Sequence, residues 1–534
     1  MAKQFFVLGI GGTGMRCIES LIHLCAMGMF DNTDIHLLAL DTDKNNGNFS
    51  RLKEVKEAYV KTKGVEVSSR VALQDTFFSA NIKYYEFSPN YEHKSTFKDV
   101  FGYSDTQYNH SEETDLADLV LAKTVEEFNL RHGYRAQTHL GSMMMYHSII
   151  EAAKSPTNND LKSFLGELAK QAQTGNPRVF ILGSVFGGTG ASSIPIIPQA
   201  ISKAAEIMTN GAVNVLKSAY FGSTLLTAYF SFKAPSSNEL ANQKVIATSD
   251  KFALNSQVAM MFYEDDSTVK STYQKFYMMG TDSLNWNPMA KDNISETITG
   301  GEKQKNDSHY IELLAASSAL SFYNEDESVL AVNKQNVKTD YEYRAINNNG
   351  KFDFQDFVGQ QRAEEFAKKF GLLIAFSLFC NGTDDFVESV RSGGVKEIQE
   401  FLDINVNQVL ALKEYINLFF VRVNANGTLS EGWLKQIHRS AGGGDNFLFN
   451  ASLFSPSDLK SLMKLSWNKN LYRTEGIGKD NHYSTGLFGS KFDSFKKQFL
   501  LTRDKDSSWK NITNNGEQLN KLIYDTLSSL YNFK

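Results

Sequence analysis

The N-terminal part of the chain combines short apolar runs with a segment of helical periodicity. Residues 5–10 (Phe-Phe-Val-Leu-Gly-Ile) predict a buried strand, because a continuous apolar run of this length is typical of a strand covered on both faces. Apolar positions between Ile18 and Cys25 recur at helical spacing, which predicts a helix over about 15–29. Residues 35–40 form a second buried strand. This strand–helix–strand unit indicates a parallel sheet covered by helices.

The same patterns predict further elements along the chain. We expect strands at 179–182, 213–222 and 274–280, and turns at 347–350 and 442–444. We expect helices at about 113–130, 141–154, 159–173, 308–323, 357–380, 394–416 and 516–532, a helix from 190 to about 208, and a polar helical segment near 236–256.

The order of these elements predicts an α/β fold in two parts. The first part, residues 1–325, is a Rossmann-like parallel-sheet domain with an insertion at about 45–130, where the pattern is less clear. The second part, residues 326–534, is a largely helical α+β region. No run of proline and glycine marks the boundary between them.

Composition and charge exclude several classes of protein. Hydrophobic residues make up 42% and charged residues 22% of the chain, which supports a globular core. The formal net charge of -5 provides no basic field for nucleic acid. Polar residues interrupt every apolar stretch well before it reaches the length of a transmembrane helix, so we expect no membrane span. Three cysteines and the lack of a signal peptide pattern at the start predict a reduced, cytoplasmic protein.

A glycine-rich loop follows the first predicted strand. Its sequence, Gly9-Ile10-Gly11-Gly12-Thr13-Gly14, matches G-x-G-x-x-G between a strand and a helix. Glycines let the backbone approach a phosphate, and the free N–H groups of the helix N-terminus bind its charge. Three interpretations stay open: a tight turn without ligand, a mononucleotide site, or a dinucleotide site. Asp41, at the end of the second predicted strand, is available as the acid that a dinucleotide-binding domain requires.

A second glycine loop follows the strand at 179–182. Its sequence is Phe186-Gly187-Gly188-Thr189-Gly190-Ala191-Ser192. A dehydrogenase has no use for a second phosphate loop, and here the chain resembles the tubulin/FtsZ superfamily, whose signature contains Gly-Gly-Thr-Gly. Phe186 and Ser192 depart from the small residue and the glycine that flank the family signature. Pro195 lies where FtsZ-type sequences also have proline.

The resemblance extends to other loops in the order of the family. Asp41-Thr42-Asp43 resembles the Asn-Thr-Asp of the loop near the metal and phosphates. Arg16 stands where FtsZ has asparagine, and either adds charge at the phosphates or lies on an exposed helix face. Residues 135–142 occupy the position of the loop that senses the γ-phosphate, and Ser142 is also expected to cap a helix.

Two further pairs of residues correspond to functional positions in the family. Asn306 and Asp307 precede the helix at 308–323, where the family has an acid that binds guanine; plain helix capping is the alternative. Asp353 and Asp356 resemble the acids that orient the attacking water in the nucleotide site of the next subunit. The alternative is that these two acids merely open a helix at its positive end.

The resemblance covers residues 3–45 and 130–225 well and 270–325 loosely, and it is closest to divergent bacterial tubulin-like proteins. It implies a domain of tubulin/FtsZ type that binds GTP or GDP with Mg²⁺ bridging the phosphates, self-assembles into filaments, and hydrolyses GTP at subunit contacts. One alternative is a nucleotide-binding switch or scaffold that does not polymerise and acts with a partner protein in a bacterial multi-protein system, such as defence. The other is an NAD-dependent oxidoreductase.

Overall fold

The structure is a computed structural model of the 534-residue chain. It describes residues 3–67, 73–91, 93–102, 112–130, 134, 137–231, 237, 248–281, 287–288, 301–302, 304, 309–345, 354–380, 406–423, 429–431, 491–505 and 508–530.

The described strands follow one another along most of the chain. They are β1 Lys3–Ile10, β2 Thr33–Leu40, β3 Asn81–Phe87, β4 Arg178–Leu182, β5 Tyr220–Leu226, β6 Phe230–Ser231, β7 Tyr273–Gly280, β8 Asn287–Pro288, β9 Asp340–Ala345, β10 Val421–Val423 and β11 Leu429–Glu431.

The described helices that precede β7 mostly lie between the strands. They are α1 Gly11–Ala26, α2 Gly47–Lys63, α3 Phe97–Phe101, α4 Glu112–Val120, α5 Lys123–Glu126, α6 Thr138–Lys154, α7 Asp160–Thr174, α8 Gly188–Ser193, α9 Ile197–Met208, α10 Val215–Ser218, α11 Phe252–Asp265 and α12 Ser267–Thr272. The later helices are α13 Tyr310–Tyr323, α14 Glu327–Gln335, α15 Phe354–Val358, α16 Ala363–Cys380, α17 Val406–Phe420, α18 Lys491–Lys505 and α19 Asn515–Leu530.

The described strands form a seven-stranded parallel sheet in the order β3-β2-β1-β4-β5-β7-β9. Its central strands are largely apolar, as expected where helices cover both faces of a sheet; residues 5–8 of β1, for example, are fully buried. The predicted α/β class and Rossmann-like sheet are therefore confirmed. β6 with β8 and β10 with β11 form two small separate pairs.

Two hydrophobic cores lie on opposite faces of the sheet. On one face, Phe5 and Val7 pack with α1, α2 and α13, and on the other, Phe6 and Leu8 pack with α6, α7 and α9. The first core also contains Leu412 of α17 and Leu522 of α19. The C-terminal helices therefore complete the core of the N-terminal sheet.

Several predicted elements have other boundaries in the structure. The predicted strand at 213–222 is wrong in part, because Asn214 caps the short helix α10 and the strand begins only at Tyr220. The predicted helix at 113–130 is the two short helices α4 and α5. The insertion contains α2 and β3, which the sequence pattern did not reveal. The turns at 347–350 and 442–444 lie outside the described residues.

Candidate functional site

Both glycine loops lie at the carboxyl edge of the sheet, on adjacent strands. β1 pairs with β2 on one side and with β4 on the other, so the strand order reverses at this point. Gly9 of β1 is paired with Leu182 of β4, and the two loops therefore leave the sheet at the same level. In open α/β sheets, the crevice outside such a reversal point is where ligands bind.

The two loops touch each other. A methyl group added to Gly11 would lie 3.5 Å from the Cβ atom of Thr189 and 3.9 Å from the backbone nitrogen of Gly190. Gly11 has a φ angle of +69°, in the left-handed region that side chains other than glycine disfavour. The first loop therefore turns toward the second at the carboxyl edge of the sheet.

Close packing fixes the base of each loop. A methyl group on Gly14 would lie 2.4 Å from the carbonyl oxygen of Leu182, and one on Gly190 would lie 2.4 Å from the carbonyl oxygen of Ser184. No side chain of this size fits at either position without backbone movement. Gly14 is buried, whereas Gly187 and Gly188, at the tip of the second loop, are half-buried and can be reached from solvent.

The N-terminus of α1 lies at the same edge of the sheet. α1 begins at Gly11, and the preceding residue, Ile10, offers its N-terminus no side-chain hydrogen bond. Thr13 lies in the first turn and is 7% exposed. The first N–H groups of a helix have no partner within the helix, and with its macrodipole they favour a bound anion such as phosphate.

A buried polar chain forms another wall of the site. Asp41, at the end of β2, accepts a 2.8 Å hydrogen bond from Nδ2 of Asn46, and Oδ1 of Asn46 accepts one of 2.9 Å from Nδ2 of Asn48. A methyl group on Gly12 would lie 3.0 Å from that nitrogen of Asn48. The three side chains are buried. The chain thus connects the loop after β2 directly to the first glycine loop.

Gly301 and Gln304, a few residues before α13 in the sequence, form hydrogen bonds with this wall. The backbone N–H of Gly301 donates to the carboxylate of Asp43, and the N–H of Gly47 donates to the carbonyl oxygen of Gly301 over 3.0 Å. Nδ2 of Asn46 also donates to Oε1 of Gln304 over 2.7 Å. The side chain of Gln304 thereby lies 3.8 Å from a methyl group placed on Gly12.

The two acids in this wall shape its electrostatics. Burial, followed by repulsion from Asp43, raises the pKa of Asp41 to about 7. Two carboxylates beside the first glycine loop would repel a phosphate bound there unless a cation lay between them. Within the described part of the chain, Oδ1 of Asn48 is buried without a hydrogen-bond partner, which leaves one more oxygen ligand in the same wall.

These oxygens fit a hydrated Mg²⁺ ion. Mg²⁺ prefers carboxylate and carbonyl oxygens and keeps several waters, with substrate phosphates completing its shell. The described residues contain no cluster of three or more His, Cys, Asp or Glu side chains that could hold a metal by themselves. Any Mg²⁺ here would therefore depend on phosphate oxygens in addition to Asp41 and Asp43.

Arg16 does not lie on an exposed helix face but is buried. Its side chain is 1% exposed, and its Nε atom donates to Oε1 of Glu312 over 2.6 Å. The Tyr229 hydroxyl bonds both the guanidinium and, at 2.9 Å, the same carboxylate oxygen. Burial alone would lower the pKa of Arg16, but Tyr229 and Glu312 together raise it above its ordinary value. Arg16 thus joins α1 to α13.

The remaining predicted residues either lie elsewhere or fall outside the described part of the chain. Asp356 is exposed on α15. Asn306, Asp307 and Asp353 lie outside the described residues. Ser142 does not cap α6, which begins at Thr138; its hydroxyl donates to the carbonyl oxygen of Ser192, at the end of α8, over 2.6 Å.

Sequence reasoning missed Asn46, Asn48, Gly301 and Gln304. The signal for Asn46 was present, since Asn-Gly before a periodic segment is a helix-start pattern and Asn46 is the N-cap of α2. Nothing in the sequence places Gln304 against Asn46, because the two are 258 residues apart.

Comparisons with known proteins give no family for this chain. No protein-family model matches it, and no curated protein sequence matches it. Among the described helices, none combines the length and the apolar character needed to cross a membrane.

Proposed function

We propose that this protein binds a purine nucleotide, GTP or GDP, with its phosphates between the two glycine loops. The observation that carries this proposal is the close approach of Gly11 to Thr189 and Gly190 at the reversal point of the sheet. Two glycine loops that converge on one space, one of them opening a long helix without a side-chain cap, suit a ligand with several phosphates.

The wall around Asp41 extends the proposal to Mg²⁺. Asp41, Asp43 and the unpartnered oxygen of Asn48 would face the ion, and the phosphates would supply the ligands that the described residues lack. The ion would neutralise charge on the phosphates. A chelator should therefore weaken nucleotide binding, and the ionised form of Asp41 should be favoured when Mg²⁺ and nucleotide are both bound.

The preference for guanine and the tubulin-like activity rest on the sequence resemblance. We propose that copies of this cytoplasmic chain assemble in a nucleotide-dependent way and hydrolyse GTP at their contacts. Asp356 is exposed, as an acid supplied to a neighbouring copy must be. Asp356→Asn should then lower the rate of GTP hydrolysis at high protein concentration while nucleotide occupancy stays unchanged. Equal hydrolysis rates in the two proteins would remove Asp356 from the proposal.

The direct test identifies the nucleotide that purified protein carries. The protein is denatured, and released nucleotide is separated by chromatography and quantified per chain. Gly188→Asp places a carboxylate at the half-buried tip of the second loop, where it should repel phosphate and reduce occupancy at least about tenfold. Gly175→Asp is the matched control, because a side chain there meets open space at the end of α7.

Four outcomes separate the candidate functions. Guanine nucleotide in the wild type and in Gly175→Asp, but not in Gly188→Asp, supports the proposal. Equal occupancy in all three proteins contradicts it. NAD in place of a guanine nucleotide would instead favour the oxidoreductase. Bound GTP without assembly or turnover would favour a switch that works through a partner protein.

A further inference from the structure

Helix α11 is apolar on the side that faces away from the protein. Its inward side is formed by Phe252, Ser256 and Tyr263, which are all buried. The opposite side carries a stripe spaced at i, i+4, i+7 and i+8, namely Leu254 (59% exposed), Val258 (58%), Met261 (57%) and Phe262 (51%). The solvent side of a surface helix normally carries polar and charged side chains, not a row of four large apolar ones. The outward stripe therefore has the character of a covered surface.

A second apolar area lies next to this stripe, on strand β9. Arg344 of β9 faces α13, where it bonds Ser318 and Ser321. Because side chains alternate along a strand, Tyr341 and Tyr343 face the other side of the sheet, the side of α11.

These tyrosines remain open to solvent. Tyr341 is 40% exposed and Tyr343 is 74% exposed, although both faces of a parallel sheet are ordinarily covered by helices. The described helix layer on this side thus leaves β9 uncovered.

A row of aromatic rings connects the strand tyrosines to α11. The ring of Tyr341 lies 5.8 Å from that of Phe276 in β7, and Phe276 in turn stacks with Tyr263 of α11. Glu264 of α11 is close enough to raise the pKa of Tyr341, after burial as the larger cause. We call the six exposed side chains the α11–β9 surface: Leu254, Val258, Met261, Phe262, Tyr341 and Tyr343.

We infer that the α11–β9 surface binds a second copy of this chain. From their exposed fractions, these six side chains present roughly 700 Å² of mostly apolar area, close to the ~800 Å² that each partner contributes to a standard-size interface. The surface can also pair with itself. It combines an apolar helix side that could cover another element with the β9 tyrosines, which no described helix covers. Under a twofold axis, α11 of each copy covers the β9 tyrosines of the other, so the same residues serve on both sides.

The inward side of α11 connects this surface to the second glycine loop. The ring of Phe252 lies 4.7 Å from that of Phe186, and the Tyr263 hydroxyl donates to the carbonyl oxygen of Ala191 over 2.7 Å. Nucleotide that orders Gly187–Gly190 would therefore also fix the position of α11. This coupling rests on the proposed function, whereas dimerisation through the α11–β9 surface does not.

Sedimentation equilibrium of the full chain tests the inference, with and without added GTP and Mg²⁺. The wild type should be dimeric at about 50 µM, since interfaces of this area give dissociation constants from micromolar downward. Val258→Asp places a charge at the centre of the stripe and should raise the dissociation constant at least about tenfold. Val332→Asp is the matched control, since Val332 is 52% exposed on α14, outside the α11–β9 surface.

The outcomes are distinguishable. A wild type that stays monomeric in both conditions overturns the inference, and so does a dimer that Val258→Asp leaves intact. Weakening by Val332→Asp to the same extent would also overturn it. Nucleotide content is measured on the same samples. If Val258→Asp loses the dimer but keeps its full nucleotide content, the result supports the surface independently of the proposed function. A dimer without any nucleotide would support the surface while contradicting the proposed function.

Discussion

The buried pair of Arg16 and Glu312 should be among the most sensitive positions in the protein. Both side chains are 1% exposed, and their charged atoms lie 2.6 Å apart between α1 and α13. Removing one partner of a buried ion pair typically costs about 3–5 kcal/mol, because the other charge stays behind without compensation. Arg16→Met keeps most of the length of the side chain but removes the charge. We expect it to lower the free energy of unfolding by an amount in this range.

The contacts that remain after each substitution determine how much stability the single and double variants lose. After Arg16→Met, Glu312 still accepts from the Tyr229 hydroxyl at 2.9 Å and from the backbone N–H of His309 at 3.2 Å. After Glu312→Gln, the guanidinium keeps Tyr229 and the faces of the Tyr229 and Phe230 rings. The double variant removes both charges of the pair, so its loss should be smaller than the sum of the single losses by about 2 kcal/mol or more.

Urea unfolding followed by circular dichroism measures these differences in the two single variants and the double variant. The matched control is Lys154→Met, because Lys154 pairs with Glu151 at 3.0 Å but both side chains are more than half exposed. That variant should change stability by less than about 0.5 kcal/mol. Additive losses in the double variant, or single losses as small as that of Lys154→Met, would refute the reasoning.

Three further predictions address the glycine loops, Asp41 and the C-terminal helix. Gly190→Ala forces a methyl group against the Ser184 carbonyl oxygen and should lower both nucleotide content and Tm, while Gly175→Ala should change neither; a full nucleotide content in Gly190→Ala would count against the site. The pKa of Asp41 is raised to about 7, so its contribution to stability is present below its ordinary pKa near 4 and is lost as the pH rises through about 7. Without nucleotide and in chelator, Asp41→Asn, which lacks this titration, should therefore gain stability relative to the wild type as the pH rises from about 4 to about 7, by up to about 4 kcal/mol. A difference independent of pH would contradict this. Leu522→Ala, at a fully buried position of α19, should cost about 2–5 kcal/mol in urea unfolding. Leu501→Ala, at a position 39% exposed, should cost much less, and equal costs would show that α19 is not part of the core.

The central strands and glycine loops could be predicted because their signals are local. The apolar run at 5–10 and the glycines that follow it specify β1, the turn and the start of α1 within one short stretch of sequence. β3 gave no such signal, since this edge strand is only partly buried beyond Ile82 and carries a mixed pattern. The sequence placed the start of α1 too late, because glycines are poor helix formers, yet α1 already begins at Gly11.

The remaining parts of the site depend on contacts between distant segments. Arg16 looked like a surface or phosphate-binding residue because its partner, Glu312, lies 296 positions away. The contacts of Gly301 and Gln304 with the loop after β2 are equally invisible to any local pattern. The outward stripe of α11 was missed for another reason, since the predicted helical segment at 236–256 ended before Val258, Met261 and Phe262.

Helix α1 explains why ligand binding at the glycine loops should affect helices in other parts of the protein. Every residue of α1 except Gly12 is buried, so the helix has no free side on which to shift alone. Its first turn forms the first glycine loop, and its second turn holds Arg16 against α13. Farther along, Nδ1 of His23 shares a 2.7 Å hydrogen bond with the Tyr415 hydroxyl of α17. A ligand that fixes the first turn must therefore also favour one position of α13 and α17. Since nucleotide would bind only the folded chain, its binding energy should stabilise these helices together, and not the loops alone.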